Sequence, residues 1–164
     1  MKRIAAILIA LILTLGMTAF AEADSDMAYV QANGTLVVGI TDFAPMDYKD
    51  ENGEWIGFDA DLARGFAESL GVEVEFIEID WDNKIMELDN KSIDVVWNGM
   101  TLTEDVKAAM ETSNAYANNA QVVIVKQEVA DQYQTPDSIA DLTIAVENGS
   151  AGEEVVTALG YATT

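Results

Sequence analysis

The chain has 164 residues, 50% of them hydrophobic, with 29 acidic and 8 basic side chains, a formal net charge of −21, and neither cysteine nor histidine. That charge argues against a nucleic-acid partner, because phosphate binding needs clustered Lys and Arg, while the length suits one domain or two small lobes. The missing residue types exclude disulfides, thiol nucleophiles, zinc and haem sites and histidine-based triads.

Met1-Lys2-Arg3 followed by the apolar run Ile4 to Leu15 reads as a secretory leader, with small residues at Ala19-Phe20-Ala21 and at Ala21-Glu22-Ala23, either of which fits cleavage. The run is shorter than the ~20 residues that span a bilayer. Residues 1–21 are therefore expected to be removed. No cysteine stands near the cut, so a lipid anchor is not expected and the product is periplasmic or secreted.

Beyond the leader, strand and helix patterns alternate. Thr35 to Ile40 is an apolar, β-branched run after the turn signal Asn33-Gly34. Met46 to Gly57 reads as a hairpin with Asn52-Gly53 at its tip. Asp59 is placed to cap a helix with Leu62, Phe66 and Leu70 on its inner face and Gly71 as its stop. Val72 to Phe76 alternates as a half-buried strand. Asp82 is placed to cap a second helix carrying Ile85, Met86 and Leu88, and Ile93 to Trp97 is a further strand. Thr103 caps a helix through Met110, and Ala120 to Val125 reads as another strand. This order predicts a parallel sheet with right-handed crossovers. Residues 28–125 form the expected first lobe, and 126–141, polar and containing Pro136, a linker or crossover. From 142 to 164 a second lobe begins, with a strand at Leu142 to Val146, a tight loop at Glu147 to Gly152 and a helix at Glu153 to Leu159. One strand and one helix cannot bury both faces of a layered lobe, so this lobe is expected to be incomplete.

In open parallel sheets ligands lie beyond the carboxyl ends of the strands. The rule selects Thr41 to Met46, Trp81, Asn98 to Thr103, and Asn148 to Gly152. These segments supply aromatics (Phe43, Trp81), hydroxyls (Thr101, Thr103, Ser150), glycine-exposed amides (Gly99, Gly149) and helix N-termini suited to a carboxylate. Together they describe a cleft for a small zwitterion. Asp50-Glu-Asn-Gly53 has some likeness to a calcium loop, but Tyr48 stands at the first ligand position, so a hairpin tip is expected and no metal. Ser150 lacks both an elbow motif and a base. No cofactor is expected.

The segments Gly34-Thr-Leu-Val-Val-Gly39, Gly57-Phe-Asp-Ala-Asp-Leu-Ala63, Ile93-Asp-Val-Val-Trp-Asn-Gly-Met-Thr-Leu-Thr103 and Val146-Glu-Asn-Gly-Ser150 resemble the family-3 extracellular solute-binding proteins, the polar amino-acid-binding components of ABC importers. The resemblance runs from about Tyr29 to Leu159. It implies an α/β, periplasmic-binding-protein type II-like fold, with two lobes on a two-strand hinge closing over an amino acid, here with lobe 2 only partial. It further implies that Phe43 and Trp81 sandwich the ligand side chain, within a site that also takes in Asn98 and Met100. The Gly99 carbonyl and Thr101 would receive the α-amino group. The Thr101 amide and the loop Gly149, Ser150 and Ala151 would hold the α-carboxylate. A membrane permease is the implied partner, and a monomer the implied state.

Three positions depart from the family pattern. Val106 stands where an Arg commonly forks onto the ligand carboxylate, and Ala151 replaces a frequent Thr. The second-lobe Asp that takes the α-amino group would lie beyond Thr164. Lys107, next to Val106, points roughly 100° around the helix and supplies a point charge rather than a fork. Losing one partner of a buried charge pair costs ~2–5 kcal/mol, so weak amino-acid binding, or a related ligand, is expected. The competing readings are a sensory or regulatory binding module, a carboxylate-based enzyme on the same fold, and a nonfunctional fragment.

Overall fold

The computed structural model describes residues 25–164; the leader read at 1–21 lies outside the described residues. The first element, unforeseen from the sequence, is helix α1 (Asp26–Asn33), capped by Ser25, whose side chain accepts from the Ala28 amide, and ended by Gly34 in the left-handed conformation. Strand β1 (Thr35–Ile40) follows directly and is the centre of the molecule. Its neighbours are β4 (Glu73–Glu78) on one side and β5 (Val95–Val96) on the other, both parallel to it. The parallel sheet read from the sequence is thus present, with β1 in the middle.

Between β1 and β4 lie the antiparallel hairpin β2 (Tyr48–Lys49) and β3 (Trp55–Ile56) and helix α2 (Phe58–Leu70). The hairpin tip forms because Asp50 accepts from the Asn52 and Glu54 amides at 2.8 and 2.9 Å. Those bonds hold its carboxyl below the ordinary range, the Glu54 amide contributing most. The carboxylate is committed to the turn, which is the hairpin-tip reading rather than the calcium-loop one.

Helix α2 corrects the expectation in two respects. Gly57, not Asp59, is the N-cap, and Asp59 sits fully buried inside the first turn. The buried stripe is Ala60, Ala63 and Ala67, while Leu62 and Phe66 remain largely exposed. Alanines at this spacing let the helix lie close against Leu36, Val38 and their partly buried neighbours Val74, Phe76 and Val95. Phe66 is only partly covered, by Trp97 at 5.6 Å between ring centroids.

After β4, Asp80 rather than Asp82 caps the chain's next turn: its side chain accepts from the Asp82 amide at 3.3 Å, ahead of a short 3-10 turn at Trp81–Asn83. Helix α3 (Lys84–Asp89) then buries Lys84 and leaves Met86 half exposed. The strand expected over 93–97 is regular only at β5. Helix α4 (Glu104–Ala109) is capped by Thr103 as expected, the hydroxyl accepting from the Val106 amide at 3.3 Å.

The strand expected at Ala120 to Val125 does not form. The segment has no ladder partner, and Val122 and Ile124 are 76% and 89% exposed. Two 3-10 turns, Gln127–Gln132 and Pro136–Ile139, occupy most of the polar linker. Strand β6 (Thr143–Ile144) is shorter than expected and pairs in parallel with β7 (Ala162–Thr163), which was not foreseen. Helix α5 (Ala151–Ala158), capped by Ser150, connects the two. Among the described residues no helix is long and apolar enough to cross a membrane.

Candidate functional site

The carboxyl end of β1 leads into the turn Phe43 to Asp47, closed on itself by the Phe43 amide donating to the Asp47 carbonyl at 2.6 Å and the Asp47 amide returning to the Phe43 carbonyl at 3.0 Å. This turn docks on the start of α2. The Phe58 and Asp59 amides donate to the Pro45 and Met46 carbonyls at 3.2 and 2.9 Å, satisfying two of the helix's free N-terminal donors. Gly57 makes the junction possible, since at φ +121° it adopts a conformation that side chains rarely take, and a Cβ there would strike the Met46 carbonyl.

The docking aims Phe43 and Met46 into a concavity of about 410 Å³, shared with Gly99, Met100, Thr101, Leu102, Tyr116 and Asn119. That volume falls in the range of small-molecule sites. Gly99 lets the Phe43 ring approach closely, because a Cβ there would lie 2.9 Å from Phe43 Cε1 and push the ring aside. The Thr101 hydroxyl accepts from the side-chain amides of Asn119 and Gln121. Sequence reasoning took in Met46 and Leu102 as members of the segments Thr41 to Met46 and Asn98 to Thr103, but missed the whole Ser113 to Asn119 segment of this wall. The segment has no periodicity to read; its one signal is the run of amide and hydroxyl side chains around Tyr116.

Asn98, expected at the site, is buried and spent on the sheet. Its Nδ2 donates to Thr41 Oγ1 at 2.7 Å and its Oδ1 accepts from the Thr41 amide at 3.4 Å, so it ties the ends of β5 and β1 together. Trp81 does not line the Phe43 concavity. Its ring faces Lys84 Nζ at 4.7 Å, and the same ammonium donates to the Gly149 carbonyl. Gly149, Ser150 and Ala151 border a second concavity of about 530 Å³ together with Thr103, Asp105, Glu153 and Glu154. The structure therefore gathers Phe43, Gly99, Met100 and Thr101 around one concavity and Gly149, Ser150 and Ala151 around another, with Trp81 lining neither. The loop amide of Gly149, expected to hold a carboxylate, already donates to Glu153 Oε2 at 2.8 Å. With Asp105, Glu153 and Glu154 around it, that second concavity repels an anion.

Behind the Phe43 turn lie two carboxyls with no access to water. Asp47 and Asp59 are fully buried, and none of their four oxygens has a hydrogen-bond partner; the Trp97 indole N–H is likewise buried and unpaired. Burial, and secondarily the charge of Asp59, pushes Asp47 up to about 7. Asp59 is also raised, by burial. Burial and Asp59 together raise the Tyr116 hydroxyl well above its ordinary value. Near neutral pH the pair therefore holds a proton, since two adjacent buried carboxylates cannot both ionise cheaply. Val106 is buried in α4, and Lys107 is tied to Glu104 at 2.9 Å on the exposed side of that helix.

Residues 36–152 match the family described as bacterial extracellular solute-binding proteins, family 3, and the chain belongs to that family. The chain is 30% identical to the L-cystine-binding protein TcyJ of Escherichia coli strain K12, over 88% of this chain and 55% of that protein. It is 30% identical to the arginine-binding extracellular protein ArtP of Bacillus subtilis strain 168, over 94% of this chain and 59% of that one. Among solved structures, the ancestral amino acid-binding protein AncCDT-1, described as a precursor of cyclohexadienyl dehydratase, superposes with a TM-score of 0.81 at 33% identity. That match covers 85% of this chain and 64% of the other, so the chain spans little more than half the length of the curated relatives. The fold is accordingly the α/β fold of periplasmic amino-acid-binding proteins.

Proposed function

We propose that this protein is the extracytoplasmic binding component of an ABC importer, holding a polar amino acid or similar zwitterion and delivering it to a membrane permease. The observation that carries the reading is the concavity in which Phe43 packs over Gly99 beside the Thr101 hydroxyl, in a chain whose family is one of extracellular solute-binding proteins. In this reading Phe43 covers the ligand side chain and Thr101, with the Gly99 carbonyl, takes the α-amino group. The N-terminal leader is cleaved after Ala21, and the first lobe spans 28–125, the crossover 126–141 and the second lobe starts at 142. The mature chain works as a monomer without cofactor or metal.

Binding rather than catalysis is the favoured role. The concavity offers no nucleophile with a base beside it, and the buried acids Asp47 and Asp59 do not line it. The amide-filled, aromatic wall suits recognition of a neutral or cationic side chain. The buried Val106 and the outward Lys107 leave the ligand carboxylate without a guanidinium fork, which predicts modest affinity.

Thermal shift and calorimetric titration of the purified mature chain with a panel of amino acids test this directly. A ligand present at a hundred times its Kd adds ~2.7 kcal/mol of stability, an easily read shift. Phe43→Ala and Thr101→Ala are each expected to weaken the best ligand by at least ~10-fold, the loss of ~1.4 kcal/mol. The reading fails if no amino acid shifts the melting point at millimolar concentration, or if both variants bind as the parent does.

A further inference from the structure

Helix α3 begins with a lysine where a surface helix would ordinarily present a solvated one. Lys84 is only 7% exposed. Its Nζ donates to the Trp81 carbonyl at 3.1 Å and to the Gly149 carbonyl at 3.0 Å, 65 residues away in sequence, and lies 4.7 Å from the centroid of the Trp81 ring. An ammonium has three N–H donors; two carbonyls and one aromatic face account for its surroundings, and that is what makes its burial tolerable. Gly149 is held from its other side as well. Its amide donates to Glu153 Oε2 at 2.8 Å, its φ is +68°, and a Cβ on it would lie 2.7 Å from Asp82 Oδ1.

We infer that Lys84 is a positioning residue for ligand capture: it ties the 147–152 loop to the Trp81 turn and so sets where the start of the second lobe sits against the first lobe, which carries the ligand concavity of the proposed function. The inference rests on that proposed function for its purpose, but the tie itself is a property of the unliganded chain. Burial lowers the proton affinity of Lys84, while Asp82 and Glu147, the charged groups acting on it, raise it. Without the amine, the Gly149 carbonyl loses its partner and the loop is free to swing from Trp81.

The chain has no cysteine, so Asp89→Cys and Thr157→Cys, both exposed and one on each side of the junction, accept spin labels at unique positions. Double electron–electron resonance on the unliganded mature chain is expected to give a narrow distance distribution. Lys84→Met should at least double its width, and Lys84→Arg, which keeps two donors and stacks on an indole, should restore it. Gly149→Ala, which collides with Asp82 and leaves Lys84 in place, should broaden it too, and decides the matter if Lys84→Met does not fold. A distribution as narrow as the parent's in folded Lys84→Met, or in Gly149→Ala should that stand in for it, overturns the inference. Absence of amino-acid binding by the parent chain counts instead against the proposed function, because the distances are measured without ligand.

Discussion

Two apolar, β-branched segments of similar length meet opposite fates in this molecule. In β1, Val38 and Ile40 are wholly inaccessible, in a strand paired with β4 along its length and with β5 at Val38 and Gly39, and covered by α2. In the segment 120–125, Val122 and Ile124 face water and pair with nothing in the described residues. Composition does not separate them. What does is the surface each can meet: β1 has β4 and β5 as neighbours and an alanine stripe to pack on. The later segment has no equivalent partner among the described residues. β-propensity here measures fit to a pleated, half-built surface, not an intrinsic habit of the chain.

The sharpest way to break that comparison is to place a charge in each segment. Val38→Asp is expected to cost at least ~4 kcal/mol and to abolish the cooperative unfolding transition, because an unpaired carboxylate would enter the core. Ile124→Asp should change stability by no more than ~0.5 kcal/mol. Urea denaturation followed by circular dichroism checks both, and equal losses would mean that 120–125 is buried against a partner in solution.

The next largest effect concerns the covered side alone. Asp47 has its folded pKa at about 7, above the ordinary 3.8. The native state therefore binds this proton more tightly than the unfolded chain does. The stability so gained is complete below about pH 4 and is lost as pH rises through 7. Asp47→Asn removes the charge and is expected to stabilise the protein by about 2–4 kcal/mol at pH 8 and by little at pH 4. Melting curves across that range would show the parent's downward slope flattened in the variant; parallel slopes would refute the burial argument.

The smallest effect lies on the exposed side. Lys107→Ala breaks the surface pair with Glu104 at a cost within ~0.5 kcal/mol and leaves ligand affinity unchanged. A marked loss of affinity would show that Lys107 turns inward when ligand is present, taking over from the missing guanidinium.

Much of the first half was legible because its signals are local. Asn52-Gly53, Gly71 and Thr103 mark a turn, a helix end and a cap through their own backbone and side-chain chemistry, and each is found where its chemistry put it. The inner face of α2 was misread because Leu62 and Phe66 outrank alanine in hydrophobicity, although Ala60, Ala63 and Ala67 carry a helical spacing of their own. The decisive factor was close approach of helix to sheet, a tertiary quantity that no residue reports alone. Asp82, expected to cap the helix, lies inside a 3-10 turn capped by Asp80, and the helix starts from Asn83 with no side-chain cap, a distinction that local pattern cannot make. Strand β7 is two residues long and too short to have a period.

The site was legible where it follows strand ends and opaque where it does not. Phe43 and Thr101 follow β1 and β5 and share one concavity. Trp81 follows β4, yet its turn is drawn toward Lys84 and Gly149 by a buried amine whose role depends on a residue 65 positions away. The wall formed by Ser113 to Asn119 belongs to an irregular stretch, and irregular stretches leave no periodic trace in sequence.

The bond between Asn98 and Thr41 bears on how this binding surface can change over evolutionary time. Because that amide is consumed in joining two strand ends, a change at either residue loosens the sheet next to the concavity. The amides and tyrosine of 113–119 rest on no ladder and can be exchanged one at a time. Substitutions in the wall are therefore expected to alter ligand choice at less cost to the sheet than substitutions at Asn98 or Thr41.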